Sequence, residues 1–407
     1  MRILFIEPYY FPDRGPAAPL YTMLCEELVR MNHEVIVLAA VPHYPTGKVE
    51  KAYQGSRIRR TNENGVQVIR VPLPSVNRTI LWQRFLQFLI YQFACLIAGW
   101  NLKADIFLTA TPAFMVLLPV VYFYLIRKIP YIYSVHDVYP DSGIRLGIFK
   151  HPFFIRLVTG LEKFTAHRSN FIRILSPSYV DPVSKLGISK TKQHLIYDWV
   201  DTTLIKPVSK KNDFSVENNL QDKFIIEYAG NISFSQGLEY LIKTAELLRN
   251  DGIHFLIIGE GAKKNELEKL CREKKLEYVQ FLPFQPREKL PDVLGTADIS
   301  LVTLRKGMGF NSLPSKTLSI LASGRPIIAN IDPGSETWDL VERAQAGLCI
   351  EPESPEKLAN AIRSLKDNEK QREIYGKNGR NYVAKNHSPQ SAAKAFEELF
   401  MLALKKT

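Results

Sequence analysis

The sequence contains little cysteine for its length. Only 4 cysteines occur among 407 residues, and Cys25, Cys95, Cys271 and Cys349 show no paired or metal-ligand spacing. This scarcity argues against a secreted scaffold built on disulfides and fits reduced, mostly buried thiols in the cytosol. Because a chain of this length exceeds one ordinary hydrophobic core, we expect two domains.

Long uninterrupted apolar stretches are also missing. The apolar run at residues 3–6 is too short for a signal peptide and is predicted to be the first strand. Residues 114–126 are strongly apolar, but this stretch is shorter than a membrane-spanning helix and contains Pro119. We therefore expect a cytoplasmic protein without a transmembrane helix.

One longer apolar stretch, residues 80–100, allows two interpretations. Gln83, Arg84 and Gln87 form a narrow polar stripe at helical spacing, which leaves a wide apolar face. In the first interpretation the helix lies on the cytoplasmic face of the inner membrane, with four side chains near the headgroups: Arg78, Trp82, Arg84 and Trp100. In the second, the helix is buried between a sheet and its neighbours.

Several catalytic and binding motifs are absent. The sequence has no Gly-x-x-x-x-Gly-Lys-Ser/Thr, which argues against P-loop phosphoryl transfer, and no Gly-x-Ser-x-Gly, which weakens an esterase assignment. The net charge of +12 implies an anionic partner, for which nucleic acid, acidic lipid and phosphorylated small molecules all qualify. Because the positive charges are scattered and no basic-aromatic stripe occurs, we expect no nucleic-acid partner.

The chain does contain a repeated alternation of short apolar runs and helical patterns. Continuous apolar strands separated by helices are typical of a parallel sheet covered on both faces, so we predict two doubly wound, Rossmann-like α/β domains. Their predicted extents are residues 1–200 and 223–386, joined by a linker at 201–222, with a C-terminal helix at 387–407 that packs back on the first domain. Two such domains form a cleft, and ligands lie at the carboxyl ends of the strands.

Residues 311–330 are the most informative stretch. Pro314 and Ser315 begin a helix, where free backbone N–H groups and the positive end of the dipole suit an anion. Lys316 lies in the first turn, which is normally unfavourable for a cation, and a bound phosphate would explain it. The alternative is a solvated lysine without a ligand.

Glycines follow several predicted strands. Gly230 and Asn231 end one strand, Gly237 opens the next helix, and Gly259 with Glu260 ends the following strand. Such loops can bring backbone N–H groups to a diphosphate, although glycine after a strand is often only a turn. In the first domain Gly15 follows Arg14 in the loop after the first strand, which suggests close approach to a ligand there as well.

A second polar loop follows a strand in the first domain. His136 and Asp137 come directly after the predicted strand at residues 131–135, and Tyr139 extends the loop. An imidazole and a carboxylate at the carboxyl end of a strand could orient or activate a hydroxyl group. The alternative is a loop histidine that only caps the chain.

Together these features resemble the retaining glycosyltransferases of family 4, which have the GT-B fold. The motifs that carry the resemblance are Gly15, His136-Asp137, Tyr228-Ala229-Gly230-Asn231, Gly259-Glu260-Gly261, and Pro314-Ser315-Lys316 followed by Ala322-Ser323-Gly324-Arg325-Pro326. The sequence is most similar to the WbuB-like L-fucosamine transferases of bacterial surface polysaccharides such as O-antigen and capsule.

The resemblance implies a UDP-sugar donor in the second domain and a polyprenyl-diphosphate-linked or oligosaccharide acceptor in the first. It implies hexosyl transfer with retention and requires no metal or other cofactor. The candidate catalytic residues are His136 and Lys316, and the acceptor-side candidates are Arg14, Asp137 and Tyr139. The donor-binding candidates are Gly15, Gly230, Asn231, Gln236, Gly237, Gly259, Glu260, Phe284, Asn311, Pro314, Ser315 and Ser319.

The sequence departs from the family pattern at charged positions. Asn231 and Gln236 stand where most members carry an arginine and a lysine in the phosphate loop. Asn311 and Ser319 replace a pair of glutamates. Because a departing nucleoside diphosphate needs preorganised positive charge, we expect Lys316 to replace the missing cations, with Arg305 and Lys306 as second candidates.

Two other functions remain open at this point. A UDP-sugar 2-epimerase would share the two-domain architecture but would need acid and base side chains that this sequence, apart from His136, hardly offers. A carbohydrate-binding homologue that has lost catalysis would fit the missing glutamate pair.

Overall fold

The structure, a computed structural model, describes residues 1–55, 57–78, 80–145, 151–310 and 314–406. The chain forms two compact units, the first made of residues 1–198 with 389–407 and the second of residues 199–388. Each unit contains its own twisted sheet, and the two sheets have eight and six strands.

The first unit is built on a sheet with the strand order β3-β4-β2-β1-β5-β6-β7-β8. Its strands are β1 (Arg2–Ile6), β2 (Glu34–Ala40), β3 (Arg59–Glu63), β4 (Val66–Val71), β5 (Ile106–Ala110), β6 (Tyr131–Val135), β7 (Phe171–Ile174) and β8 (Gln193–Leu195). All neighbouring strands pair in parallel except β3, which runs antiparallel to β4 at the edge. The central strands β5 and β6 are buried at every position, as expected for a sheet covered on both faces.

Helices connect the parallel strands of this unit. They are α1 (Ala18–Arg30), α2 (Leu81–Gly99), α3 (Leu117–Val121), α4 (Asp141–Arg145), α5 (Pro152–Arg168), α6 (Val180–Lys185) and the C-terminal α15 (Pro389–Lys405). Helix α15 packs on α1, where His33 Nε2 lies 2.7 Å from a carboxylate oxygen of Glu397. Gln390 adds a 2.8 Å hydrogen bond to Glu27.

The second unit contains an all-parallel sheet with the strand order β11-β10-β9-β12-β13-β14. Its strands are β9 (Phe224–Ala229), β10 (Ile253–Ile258), β11 (Val279–Leu282), β12 (Ile299–Thr303), β13 (Ile327–Asn330) and β14 (Gly347–Ile350). Its helices are α7 (Asp213–Glu217), α8 (Leu238–Leu247), α9 (Lys264–Glu273), α10 (Leu290–Thr296), α11 (Ser315–Ala322), α12 (Glu336–Ala344), α13 (Pro355–Lys366) and α14 (Glu369–Asn386). The prediction of two doubly wound α/β domains is confirmed.

Residues 201–222, predicted above to be a linker, pack on the second unit. Lys210 forms an ion pair with Asp298, and Asn212 caps α7 and donates a 3.0 Å hydrogen bond to the Asp292 carbonyl. The segment lacks a periodic apolar pattern because polar contacts, rather than apolar packing, attach it to the second unit.

Helix α2 buries an apolar face together with two glutamines, and it exposes a second apolar face. Gln87 and Gln92 are each only 2% exposed. Their burial is tolerated because their amides donate to the carbonyls of Pro74 at 2.9 Å and Phe114 at 3.1 Å. The exposed apolar side chains at the helix and its end are Trp82, Phe85, Leu86, Phe93, Ile97 and Trp100. The outward face is therefore not covered, as a fully buried helix would require. Among the described residues, no helix combines the length and apolarity needed to cross a bilayer.

Candidate functional site

The second unit places Lys316 among groups from the loop after β9. Its ammonium nitrogen lies 4.0 Å from the ring centroid of Tyr228 and donates a 2.8 Å hydrogen bond to Gln236 Oε1. The Tyr228 hydroxyl lies 2.9 Å from the same oxygen and 2.7 Å from the Asn231 carbonyl. A Cβ added to Gly230 would lie at an ordinary contact distance of 3.5 Å from the ammonium, and the φ of 153° is what favours glycine there.

The charge on Lys316 has no carboxylate partner among the described residues. Burial alone lowers the pKa of its ammonium from 10.5 to about 7, and no neighbouring charge contributes to this shift. A cation–π contact and a neutral amide are weaker compensation than an ion pair. The lysine is thus a desolvated cation held in place by Tyr228 and Gln236, and an anion would stabilise its charged form.

The other basic candidates at this edge are differently placed. Arg305 forms an ion pair with Glu239 and stacks at 3.8 Å over the Phe234 ring. Lys306 is exposed, and its backbone N–H donates to Glu353 at 3.4 Å. Of the three basic side chains proposed for a diphosphate, only Lys316 is desolvated without an ionic partner in the described structure.

Two glycine loops contact each other along their backbones. A Cβ added to Gly259 would lie 1.8 Å from the Gly230 carbonyl oxygen, and one added to Gly261 would lie 2.1 Å from the Ile232 carbonyl oxygen. The Ile232 N–H donates to the Glu260 carbonyl at 2.8 Å. The need for glycine at positions 259 and 261 therefore follows from loop packing, whether or not a ligand binds there. Gly237 has a φ of 62° and caps α8.

The remaining donor-side predictions lie in varied surroundings. Pro314 caps α11, Ser315 is exposed in the first turn of that helix, and Ser319 is half-buried one turn further on. Glu260 is exposed and pairs with Lys264 at 2.7 Å. Phe284 is 57% exposed in the loop after β11, and Asn311 lies outside the described residues.

In the first unit, Asp13 organises the loops after β1 and β2. This buried carboxylate accepts hydrogen bonds from the backbone N–H groups of Gly15 at 2.7 Å, His43 at 2.8 Å and Tyr44 at 3.2 Å. A Cβ added to Gly15 would lie 2.6 Å from the Tyr9 ring, so the packing of Tyr9 accounts for the glycine. The neighbouring Arg14 is exposed.

The loop after β6 is fixed by its backbone. Thr111 Oγ1 accepts from the N–H groups of His136 at 3.0 Å and Asp137 at 3.2 Å, and the Tyr179 hydroxyl donates to the His136 carbonyl at 3.0 Å. Tyr139 contacts the Phe114 ring edge to face at 5.9 Å, and burial raises its pKa to about 12. The three predicted residues of this loop therefore occupy a constrained segment at the carboxyl end of the sheet, with Asp137 exposed.

A chain of hydrogen bonds reaches the His136 ring from the interior. Its Nε2 lies 2.7 Å from the Tyr21 hydroxyl; burial raises the pKa of that hydroxyl, and the neighbouring Ser134 hydroxyl opposes the shift, as a donor to it would. Ser134 Oγ accepts a 3.3 Å hydrogen bond from Arg173, a fully buried side chain paired with Asp198. Burial, together with the charge of Arg173, lowers the pKa of His136 to about 4. The imidazole is therefore neutral at physiological pH.

The donor at the start of this chain sets its direction. Arginine only donates, so Ser134 accepts from Arg173 and is free to donate to Tyr21. Tyr21 then donates to Nε2 of His136, which leaves the ring proton on Nδ1. Because Nδ1 makes no hydrogen bond to any described residue, it can donate to a substrate oxygen.

Sequence reasoning did not identify Tyr21, Ser134, Arg173 or Tyr228. Tyr21 is more than a hundred residues from His136 in the chain, and no motif links them. Tyr228 was part of the quoted strand end, but its contact with Lys316 depends on two segments that come together only in the fold.

Two family models match the chain and together cover most of its length. The model described as glycosyl transferase 4-like domain matches residues 17–199, and the model described as glycosyl transferases group 1 matches residues 209–382.

Two bacterial proteins are among the similar sequences. The chain is 28% identical to the Escherichia coli K12 protein named as colanic acid biosynthesis glycosyl transferase WcaI, over 89% of this chain and 91% of that protein. It is 26% identical to the Pseudomonas aeruginosa protein named as glycosyltransferase WbjE, over 71% of this chain and 73% of that protein.

Solved structures show the same fold at low identity. Sucrose-phosphate synthase from Thermosynechococcus elongatus superposes with a TM-score of 0.73 at 17% identity and full coverage of both chains. HepE of Anabaena in complex with UDP superposes with a TM-score of 0.72 at 15% identity, over 99% of this chain and 100% of that chain.

Proposed function

Because this chain is a glycosyltransferase of family 4 with the GT-B fold, we propose that it transfers a sugar from UDP to an acceptor hydroxyl with retention at the anomeric carbon. The donor is an N-acetylated amino sugar or a deoxy sugar. The acceptor is a polyprenyl-diphosphate-linked or free saccharide in the assembly of a bacterial surface polysaccharide. The names of similar proteins, which include a colanic acid and an O-antigen glycosyltransferase, support this pathway class.

The observation that carries the proposal is that Lys316 has no carboxylate partner among the described residues. A desolvated ammonium without a carboxylate partner is costly in the unliganded protein and favourable once an anion arrives. Gln236 stands where the family resemblance places a cation, and Lys316 donates to that side chain at 2.8 Å. Lys316 therefore brings positive charge to the loop from a neighbouring helix.

In the proposed reaction Lys316 binds the diphosphate and stabilises the negative charge that develops as the glycosyl bond breaks. The leaving phosphate oxygen takes the proton of the acceptor hydroxyl on the same face of the sugar, so the new bond forms with retention. Nδ1–H of the neutral His136 donates to a sugar oxygen and orients it. No residue is needed as a covalent nucleophile, and we expect no metal requirement.

We also propose that the protein binds peripherally to the cytoplasmic face of the inner membrane through α2. Trp82 is 64% exposed and Ile97 is 72% exposed, whereas Gln87 and Gln92 of the same helix are buried. Aromatic and aliphatic side chains exposed along one helical face suit the headgroup–acyl boundary.

A panel of UDP-sugars, incubated with and without a lipid-linked acceptor and analysed by mass spectrometry, tests the activity. We expect UDP release that depends on acceptor, with one donor preferred. Free donor epimerised at C2 would indicate an epimerase instead, and binding of UDP-sugar without product would indicate an inactive homologue.

A further inference from the structure

A second basic side chain without an ionic partner lies in the first unit. The guanidinium carbon of Arg78 lies 4.8 Å from the ring centroid of Tyr44. Its Nη1 is buried and makes no hydrogen bond to any residue that the structure describes. A buried donor without an acceptor is destabilising, and a charged one more so, which indicates that a ligand completes this site.

Arg84 lies in the first turn of α2, and the segment that carries Arg78 contacts this turn, because the Asn77 N–H donates a 2.8 Å hydrogen bond to Gln83 Oε1. The charges of Arg78 and Arg84 both lower the pKa of Tyr9, although burial dominates and raises it to about 12. The charge of Arg84 also acts on Tyr139, in the loop that carries His136. Arg78 over the Tyr44 ring and Arg84 in the adjoining turn of α2 therefore both belong to the carboxyl edge of the first sheet.

The two buried carboxylates of this edge, Glu7 and Asp13, form no ion pair with either arginine. Burial raises the pKa of Glu7 to about 8, so this side chain is largely protonated at neutral pH. Asp13 is buried and accepts three backbone hydrogen bonds, at 2.7, 2.8 and 3.2 Å. The cluster of Arg78 and Arg84 therefore keeps its positive charge and suits an anion with more than one negative oxygen.

An apolar surface begins beside the two arginines. Trp82 and Phe85, which are 64% and 59% exposed, flank Arg84 on α2, and the exposed face continues to Ile97 and Trp100. A helix of this length spans about 28 Å. A ligand with an anionic head and a long apolar tail would match both surfaces, whereas a free sugar phosphate would use only the arginines.

We propose that Arg78 and Arg84 bind the diphosphate of a polyprenyl-linked acceptor, whose hydrocarbon chain leaves along the exposed face of α2. This inference rests on the proposed function, because it assigns the acceptor subsite of the same reaction. The saccharide attached to the diphosphate would then extend toward the loop of His136.

Farnesyl diphosphate is a suitable probe, titrated below its micellar concentration into the full chain saturated with UDP, which occupies the Lys316 site. The variants are Arg84→Gln, Arg78→Gln and the double substitution. Lys103→Gln is the matched control, because Lys103 is exposed beyond the opposite end of α2. Pyrophosphate and farnesol separate the contributions of head and tail, and thermal unfolding checks that each variant is folded.

We expect each arginine substitution to weaken farnesyl diphosphate binding about tenfold or more, as charge-assisted hydrogen bonds are lost, while Lys103→Gln and the affinity for UDP stay unchanged. Pyrophosphate should bind more weakly than farnesyl diphosphate. If Arg78→Gln does not fold, the binding measured for Arg84→Gln alone decides.

Unchanged farnesyl diphosphate binding in the variants, or no binding to the wild type, would overturn the subsite. Loss of binding only to phosphatidylglycerol vesicles would assign the arginines to lipid headgroups instead. If the wild type does not bind UDP, that result contradicts the proposed donor and not this acceptor subsite.

Discussion

The carboxyl edges of the two sheets differ in how they compensate polar groups. Around His136 in the first unit, Arg173 pairs with Asp198, and hydrogen bonds run through Ser134 and Tyr21 to the imidazole. At the edge of the second unit, the described residues offer Lys316 an aromatic ring and an amide but no carboxylate. A group compensated within the protein can orient a substrate, whereas an uncompensated charge provides binding energy to an anion. The comparison therefore assigns positioning to His136 and diphosphate binding to Lys316.

The largest effect is expected at the uncompensated charge. Lys316→Met should lower transfer by about two to three orders of magnitude, because the leaving diphosphate loses its cation. Steady-state UDP release with saturating acceptor measures this. Lys243→Met is the matched control, since Lys243 also lies over a tyrosine ring, that of Tyr240 at 5.1 Å, and should keep full activity. Equal turnover in Lys316→Met and Lys243→Met would contradict the assignment of diphosphate binding to Lys316.

A smaller effect is expected where the hydrogen-bond chain is broken. Tyr21→Phe removes the donor to Nε2 of His136, so kcat should fall about tenfold with little change in donor KM. Nitrogen-15 spectra of the imidazole should report the Nδ1–H tautomer in the wild type and a mixture in the variant. Tyr10→Phe controls for the loss of a buried hydroxyl, because that of Tyr10 has no partner among the described residues. An unchanged tautomer would show that Tyr21 does not position the ring.

Substitution of exposed apolar residues of α2 should weaken membrane binding without destabilising the fold. Phe85→Ser and Ile97→Ser should each weaken flotation with phosphatidylglycerol vesicles about fivefold, without lowering the thermal unfolding temperature. Leu247→Ser is the control, since Leu247 is 46% exposed on α8 of the second unit. Vesicle binding that is equal in all three variants would mean that α2 does not contact lipid.

The smallest expected effect is on stability. The folded-state pKa of Lys316, about 7, lies below the ordinary lysine value of 10.5, so between these values the unfolded state binds more protons. Stability from this group therefore rises with pH across that window, and its cost is greatest below pH 7. Lys316→Met should raise the free energy of unfolding by about 1 kcal/mol at pH 6 and by less at pH 9. Urea unfolding at the two pH values measures the difference, and a variant less stable than the wild type at pH 6 would contradict it.

The strands that form the two sheets were largely predictable, for a physical reason. A parallel strand buried on both faces reads as a nearly continuous apolar run, as β10 does: all six of its positions are buried, and all but His254 are apolar. Strand β3 was not predicted because it lies at the edge and carries the sequence Arg-Arg-Thr-Asn-Glu. Its pairing with β4 includes an ion pair between Glu63 and Arg70, which no local apolar pattern indicates.

The site was predictable only where one segment contains its chemistry. Lys316 stood out because a cation in the first turn of a helix is unfavourable without a partner. Its contact with Gln236 and the link from Tyr21 to His136 join segments 80 and 115 residues apart. The glycines at 259 and 261 suggested a ligand, yet backbone packing already requires them. Local sequence therefore shows that a residue is in an unfavourable position more readily than it shows which distant residue stabilises it.

Proton uptake on UDP binding tests the central claim most directly. At pH 8 the free UDP phosphates are fully ionised and the Lys316 amine is mostly neutral, so a bound diphosphate should raise its pKa and draw in a proton. Calorimetry in two buffers of different ionisation enthalpy should give an uptake of roughly 0.5 to 1 proton for the wild type and near zero for Lys316→Met, with weaker binding in the variant. UDP binding of equal affinity in both proteins, without proton uptake, would contradict the assignment of Lys316 to the donor diphosphate.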